Sequence, residues 1–176
     1  MSTYGLKKGM VRLCPHDEAW KAEASKVIAR LWEIFGTYAV DIQHIGSTAI
    51  KSISAKPIID IAVGVSTFDA LHTFAEKLEA VGIYRSAGQP FPEIELYSRD
   101  DETGARLNNI QVVIHGSPQW KQHIYFREYL KAHPEKAIEY DAIKQKAAKE
   151  FPADVVAYTN RKNAFIKECI RAAETE

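Results

Sequence analysis

Between His44 and Asp60 the chain gathers residue types that bind phosphates and compensate their charge. Gly46, Ser47 and Thr48 close a segment of alternating polarity, so they stand where a strand ends. A glycine there lets the chain turn tightly and lets backbone N–H groups come close to an anion. If a short helix starts at Thr48, its first N–H groups and its dipole favour a phosphate, and the Ser47 hydroxyl adds a donor. The same residues also make a plain strand-to-helix turn. His44 directly precedes the corner, where it can touch a phosphate or close the strand end by a hydrogen bond. Lys56 stands just before the next strand, where it can offset negative charge.

Asp60 lies among Ile58, Ile59 and Ile61. An ionised carboxylate in aliphatic surroundings is costly unless a cation or hydrogen-bond donors meet it. A divalent metal is one such compensation; backbone or Lys56 donors are another. Strand alternation puts Asp60 on the face of Ile58 and Ala62, opposite Ile59, Ile61 and Val63. Other chemistries find less support. The run from Gly46 to Lys51 and Ser52 superficially resembles a Walker A loop, but Ile50 stands where that loop requires glycine. The histidines at 16, 44, 72, 115, 123 and 133 show no metal-ligand pairing such as i, i+4 on one helix. No Ser-His-Asp or Cys-His arrangement can be argued from spacing.

The elements that must position these residues follow from apolar periodicity. Trp20, Ala24, Val27, Ile28, Leu31 and Phe35 recur three or four apart, which predicts a helix over residues 17–35 stopped by Gly36. From Tyr38 the period becomes two, and a half-buried strand is expected up to the corner. Residues 57–65 read as a central strand, apolar on both faces. A helix is predicted over 68–81, then strands over 93–99 and 107–114 around the turn-rich Asp100-Asp101-Glu102-Thr103-Gly104. Ser117 as N-cap and Pro118 at the first helical position open a helix to about Ala132. Two more helices are expected over about 135–151 and 160–173. The fold class is therefore α+β: a mixed β-sheet with flanking helices and a C-terminal helical cover.

Bulk properties narrow the setting. At 176 residues the chain has the length of one domain, with a sheet part over about 1–115 and a helical part over about 116–176. Lysine plus arginine and aspartate plus glutamate both number 23, so no net charge marks a dedicated nucleic-acid-coating protein. Cys14 and Cys169 match no disulfide or zinc pattern and read as reduced thiols. No signal peptide and no membrane span is expected, so the expected location is cytoplasmic.

The whole set of motifs resembles the GrpB family of the nucleotidyltransferase-fold superfamily. His44-Ile45-Gly46-Ser47-Thr48 and Ala55-Lys56-Pro57-Ile58-Ile59-Asp60-Ile61 carry the resemblance. Trp120, the run Phe126-Arg127-Glu128-Tyr129-Leu130, His133-Pro134, Tyr140, Lys144 and Tyr158-Thr159 with Lys162 extend it to nearly the full length. The resemblance implies a nucleotidyltransferase-like fold. In such enzymes a glycine-serine corner holds the triphosphate, and two alternating acidic residues hold the magnesium ions that bridge it to the attacking hydroxyl.

This chain departs from that pattern at the second acidic position, which is Ala62. Asn109 and Gln111, on a later strand, offer only amides, which ligate magnesium weakly. Glu95 (or Glu93) is the remaining carboxylate candidate for the metal. Lys56, Arg127, Lys144 and Lys162 are candidate phosphate partners, and Trp120 and Tyr158 can stack on a base or belong to the core. Two functions stay open. One is a magnesium-dependent nucleotidyltransferase acting on a small-molecule acceptor, with a nucleoside triphosphate on Gly46, Ser47, Thr48, His44 and Lys56, and Asp60 catalytic. The other is a catalytically degenerate module that binds a nucleotide or another phosphorylated small molecule.

Overall fold

The structure is a computed structural model that describes residues 4–89 and 91–175. Among these, the strands β1 (Leu6–Lys7), β2 (Ala39–Ile45), β3 (Ile59–Val65), β4 (Ile83–Arg85), β5 (Ile94–Asp100) and β6 (Ala105–Ile114) form one mixed sheet. Its order is β2-β3-β6-β5-β4, with β1 extending the edge of β6 that β3 takes up further along. Only the β3–β6 pair is parallel. Helix α1 (Ala19–Phe35) lies across one face, and α3 (Pro118–Ala132), α4 (Pro134–Glu150) and α5 (Val155–Thr175) lie on the other side.

The strict alternation of β3 divides two environments. Ile59, Ile61, Val63 and Val65 join Ile110 and Val112 beneath the apolar stripe of α1, where Trp20 and Leu31 are buried. Asp60 and Ala62 turn the other way. Gly36 ends α1 as its position predicts, with φ +50°. The hairpin between β5 and β6 turns through Asp101, whose carboxylate accepts from the Thr103 and Ala105 amides at 2.9 Å.

The helix expected over 68–81 is mostly absent. A 3₁₀ turn, Leu71–Phe74, runs into a single helical turn, α2 (Ala75–Glu79). Local side-chain bonds explain the shortfall. The Thr67 hydroxyl accepts from the Asp69 amide and the Thr73 hydroxyl donates to the Ala70 carbonyl, offering the backbone an alternative to the helix. By contrast α5 starts five residues before the expected 160, because Asp154 caps it by accepting from the Ala157 amide at 2.9 Å. Pro134 opens α4 as its first residue. β1 and β4 are too short to leave a periodic signal.

The helical cover does not lie flat on the Asp60 face. Ile50 and Ile53, in the loop joining the corner to β3, are buried against Leu130, Ala137, Tyr140 and Phe165 of the helices. Polar contacts lock this packing. The Asp141 carboxylate accepts from both the amide (2.9 Å) and the hydroxyl (2.6 Å) of Ser54. The ammonium of Lys144, only 1% exposed, donates to the Ser54 carbonyl and stands 3.5 Å from Asp141. The Gln145 amide also donates to the Ser54 hydroxyl. Lys144 thus serves as a clamp and has no free ammonium to offer a ligand.

Removing Asp141 leaves a buried ammonium and two Ser54 donors uncompensated. Asp141→Ala is expected to lower unfolding free energy by about 3–5 kcal/mol, read from urea denaturation. A loss below about 1 kcal/mol, the worth of an exposed ion pair, would show that apolar packing alone holds the cover.

Candidate functional site

The corner is built as tightly as its composition allows. Gly46 has φ +71°, and a Cβ added to it would lie 2.6 Å from Oδ2 of Asp60. The glycine is therefore required twice, by its left-handed backbone and by the carboxylate pressed against it. Ser47–Ala49 form one 3₁₀ turn. The Tyr140 phenol of α4 lines the same cleft as Ser47, and the Ser47 hydroxyl opposes part of the rise that burial gives the Tyr140 pKa.

Asp60, Gly46, Ser47, Lys56 and Thr48 all line a cleft of about 440 Å³ between the sheet and the helices. Asn109, directly opposite Asp60 in the β3–β6 register, donates its side-chain amide to Oδ1 of Asp60 at 2.8 Å. Its orientation is dictated from behind. Arg106 donates to the Asn109 carbonyl oxygen at 2.9 Å and to Asp100 at 2.6 Å. Because a guanidinium can only donate, the Asn109 carbonyl must face it, and the NH₂ must face Asp60.

Two cations converge from the other side. The ammonium groups of Lys56 and Lys162 lie 5.6 and 4.2 Å from the ring centroid of Tyr158, which is itself buried. Burial, reinforced by the Lys56 and Lys144 charges, brings Lys162 down to about 7. Burial pushes the Asp60 carboxyl upward, against the Asn109 hydrogen bond and the Lys56 and Lys162 charges. Gln111, Gln122 and His123 complete the wall, and burial lowers His123 to about 4.

The cleft does not gather every expected residue. Glu95 pairs with Val112 across β5–β6, so it projects from the α1 face, and there it forms a two-point ion pair with Arg85 at 2.7 and 3.0 Å. It cannot share a metal with Asp60, because the sheet stands between them. His44 pairs with Ile61 and also faces away from Asp60; its Nε2 lies 2.9 Å from the Thr48 hydroxyl. Burial, with the Arg127 and Lys131 charges, lowers it to about 4, so it carries no positive charge for a phosphate at neutral pH. His44 and Thr48 instead fasten the corner, and both border a separate cavity of about 640 Å³. Arg127 pairs with Glu128 as its neighbourhood suggests, and also ties α3 to β2 by donating to Gln43 and to the His44 carbonyl. Trp120 is core, packed with Ile45, Ala62 and Val113.

That cluster bears on metal binding. Ala62 is not merely short of a carboxylate but sealed in an apolar pocket. The Asn109 carbonyl is engaged by Arg106. Among the described residues no group of three or more His, Cys, Asp or Glu is placed to hold a metal. The donor set therefore does not fit a pair of magnesium ions.

The model for "GrpB protein" matches residues 10–172. The chain belongs to the GrpB family. It is 38% identical over 169 residues to the glutamate-rich protein GrpB of Alkalihalophilus pseudofirmus, covering 94% of this chain and 97% of that one. Its fold is shared with GrpB from Enterococcus faecalis, with a TM-score of 0.84, 24% identity and coverage of 92% and 96%. Cid1, described as having RNA terminal uridylyl transferase activity, aligns at a TM-score of 0.54 and 16% identity over 78% of this chain and 42% of Cid1. This GrpB-family chain thus has a nucleotidyltransferase-like mixed sheet. No described helix is long and apolar enough to cross a membrane.

Two outcomes follow. Ala62→Asp is expected to destabilise the fold by about 3–5 kcal/mol without creating a magnesium site; unchanged stability with new magnesium binding by calorimetry would refute the sealed-pocket account. Lys162 prefers its neutral form when folded and is protonated when unfolded over the interval from about 7 to the ordinary 10.5. The unfolded chain then holds more protons, so stability rises with pH across that interval. Lys162→Met should flatten part of this slope in thermal melts taken at successive pH values.

Proposed function

We propose that this GrpB-family chain binds a nucleotide or another phosphorylated small molecule in the Asp60 cleft, with its phosphates on Lys56 and Lys162. The observation that carries the reading is the convergence of these two ammonium groups on the Tyr158 ring beside the glycine corner. Cations inside a partly dewatered cleft attract polyanions more strongly than surface lysines do. The Gly46-Ser47 corner lines the same cleft, so its backbone N–H groups stand near the two ammonium groups. Asp60, held by Asn109, is placed to accept a hydrogen bond from a ligand hydroxyl.

A second reading is nucleotidyl transfer to a small-molecule acceptor with magnesium and a nucleoside triphosphate. It is favoured by one specific observation: Asp60 remains beside the glycine-serine corner in a fold shared with Cid1. Fold likeness alone is a weak warrant for activity, and the single carboxylate speaks for binding over transfer.

Calorimetry with ATP, GTP, CTP, UTP and inorganic triphosphate, each with and without magnesium, tests the first reading. Binding is expected without magnesium, weakened roughly tenfold or more in Lys162→Met. Because a protonated Lys162 is the better phosphate partner, affinity should rise as pH falls through about 7. Absence of any binding in the millimolar range would sink the proposal. Asp60→Asn separates the readings: a binder keeps or improves its affinity as a negative charge is lost, whereas a transferase loses transfer of labelled nucleotide.

A further inference from the structure

Asn108 is the neighbour of Asn109 and, by strand alternation, points to the opposite face of the sheet. It is fully buried, and neither its amide nitrogen nor its carbonyl oxygen has a hydrogen-bond partner. Leaving a carboxamide dry costs stability that a leucine at the same place would not. Buried polar groups of this kind are satisfied by ordered water or by a ligand.

The surroundings favour a ligand with negative charge. Asn108 forms part of the lining of a cavity of about 270 Å³ between α1 and the sheet, together with Tyr4, Glu23, Lys26, Arg30 and Arg99. The one carboxylate in this set is already engaged. Glu23 pairs with Lys26 at 2.7 Å, and the Tyr4 hydroxyl is bonded to both Glu23 and Arg99. Arg30 has no ion pair or hydrogen bond among the described residues. The rim thus carries an excess of guanidinium donors, while the floor offers one acceptor and two donors from a single amide.

We propose that this cavity is a second ligand site, independent of the Asp60 cleft, for a small organic carboxylate that also presents an amide-like donor–acceptor edge. A carboxylate matches the planar fork of Arg30 and Arg99 at the rim. An amide or a pyrimidine lactam edge is self-complementary to the Asn108 carboxamide at the floor. The volume lies just below the usual range for drug-sized ligands, which begins at about 300 Å³, and so suits an amino acid or a single ring. The sheet separates this cavity from Lys56 and Lys162, so the site stands or falls apart from the phosphate-binding reading.

The test follows the Asn108 side-chain NH₂ signals by two-dimensional NMR of the isotope-labelled full chain, assigned by their loss in Asn108→Leu. The probes are glutamine and orotate, a pyrimidine carboxylate, with acetate as the anion lacking an amide edge. Glutamine or orotate is expected to shift these signals saturably, acetate to leave them in place, and Arg30→Gln to weaken the effect roughly tenfold without changing the melting temperature. If neither glutamine nor orotate moves the signals in the millimolar range, the amide is satisfied by water and the proposal is overturned. An affinity unchanged in Arg30→Gln overturns it equally. Asn108→Leu should melt higher than the native chain and lose the melting-temperature rise that glutamine or orotate confers; an undiminished rise in that variant refutes the site.

Discussion

The Asp60 carboxylate occupies the space where a side chain on residue 46 would begin, and the rest of the cleft depends on that contact. With Gly46 bent through a positive φ, β2 can turn into the loop while its last residue, Ile45, stays in register with Asp60. That register sends Ile59, Ile61 and Val63 into the core under α1 and leaves Asp60 facing the helices. A bulkier corner would have to displace either the carboxylate or the strand pair. His44 and Thr48 brace the same turn by bonding to each other, with His44 facing the α1 side.

Charge in the cleft is arranged around one anion. Asp60 receives an amide donor from Asn109, and the order Asp100, Arg106, Asn109, Asp60 alternates acceptor and donor until the amide has only one orientation left. On the far side Lys56 and Lys162 crowd together on Tyr158, and burial with mutual repulsion lowers Lys162. Two cations pressed together are costly in isolation and are relieved by an incoming anion. A second carboxylate at residue 62 would have reversed this balance; an alanine sealed by Trp120 and Val113 preserves it.

The helices supply Tyr158 and Lys162 to the cleft directly and also shape it from a distance. Ser54, gripped by Asp141, Lys144 and Gln145, fixes the loop that delivers Lys56, and the Tyr140 phenol lines the same cleft as Ser47. Packing on Ile50 and Ile53 seats the helices against the loop beside the corner, and a cleft stays open above Asp60. Sheet and cover are thereby joined through this loop as well as through Trp120 and Arg127 of α3, and the site's geometry is sensitive to residues remote from the ligand.

The sequence alone determined the strands on either side of the corner, the face of Asp60, the α+β class and the family resemblance. These rest on short-range periodicity, on glycine's backbone freedom and on a motif contiguous in the chain. It also identified Ser117 as a cap and Lys56 and Lys162 among the candidate cations. Only the tertiary structure decided which of these residues meet. Scarcity of other carboxylates makes Glu95 the sequence's candidate metal partner for Asp60, but strand register, a long-range property, turns it toward Arg85 on the other face. Lys144 and Lys162 are the same residue type on neighbouring helices, and packing alone made one a clamp and the other a wall of the cleft. Side-chain partners across the sheet, such as Arg106 for Asn109 or none for Asn108, have no local signature, because they are set by which strands lie side by side.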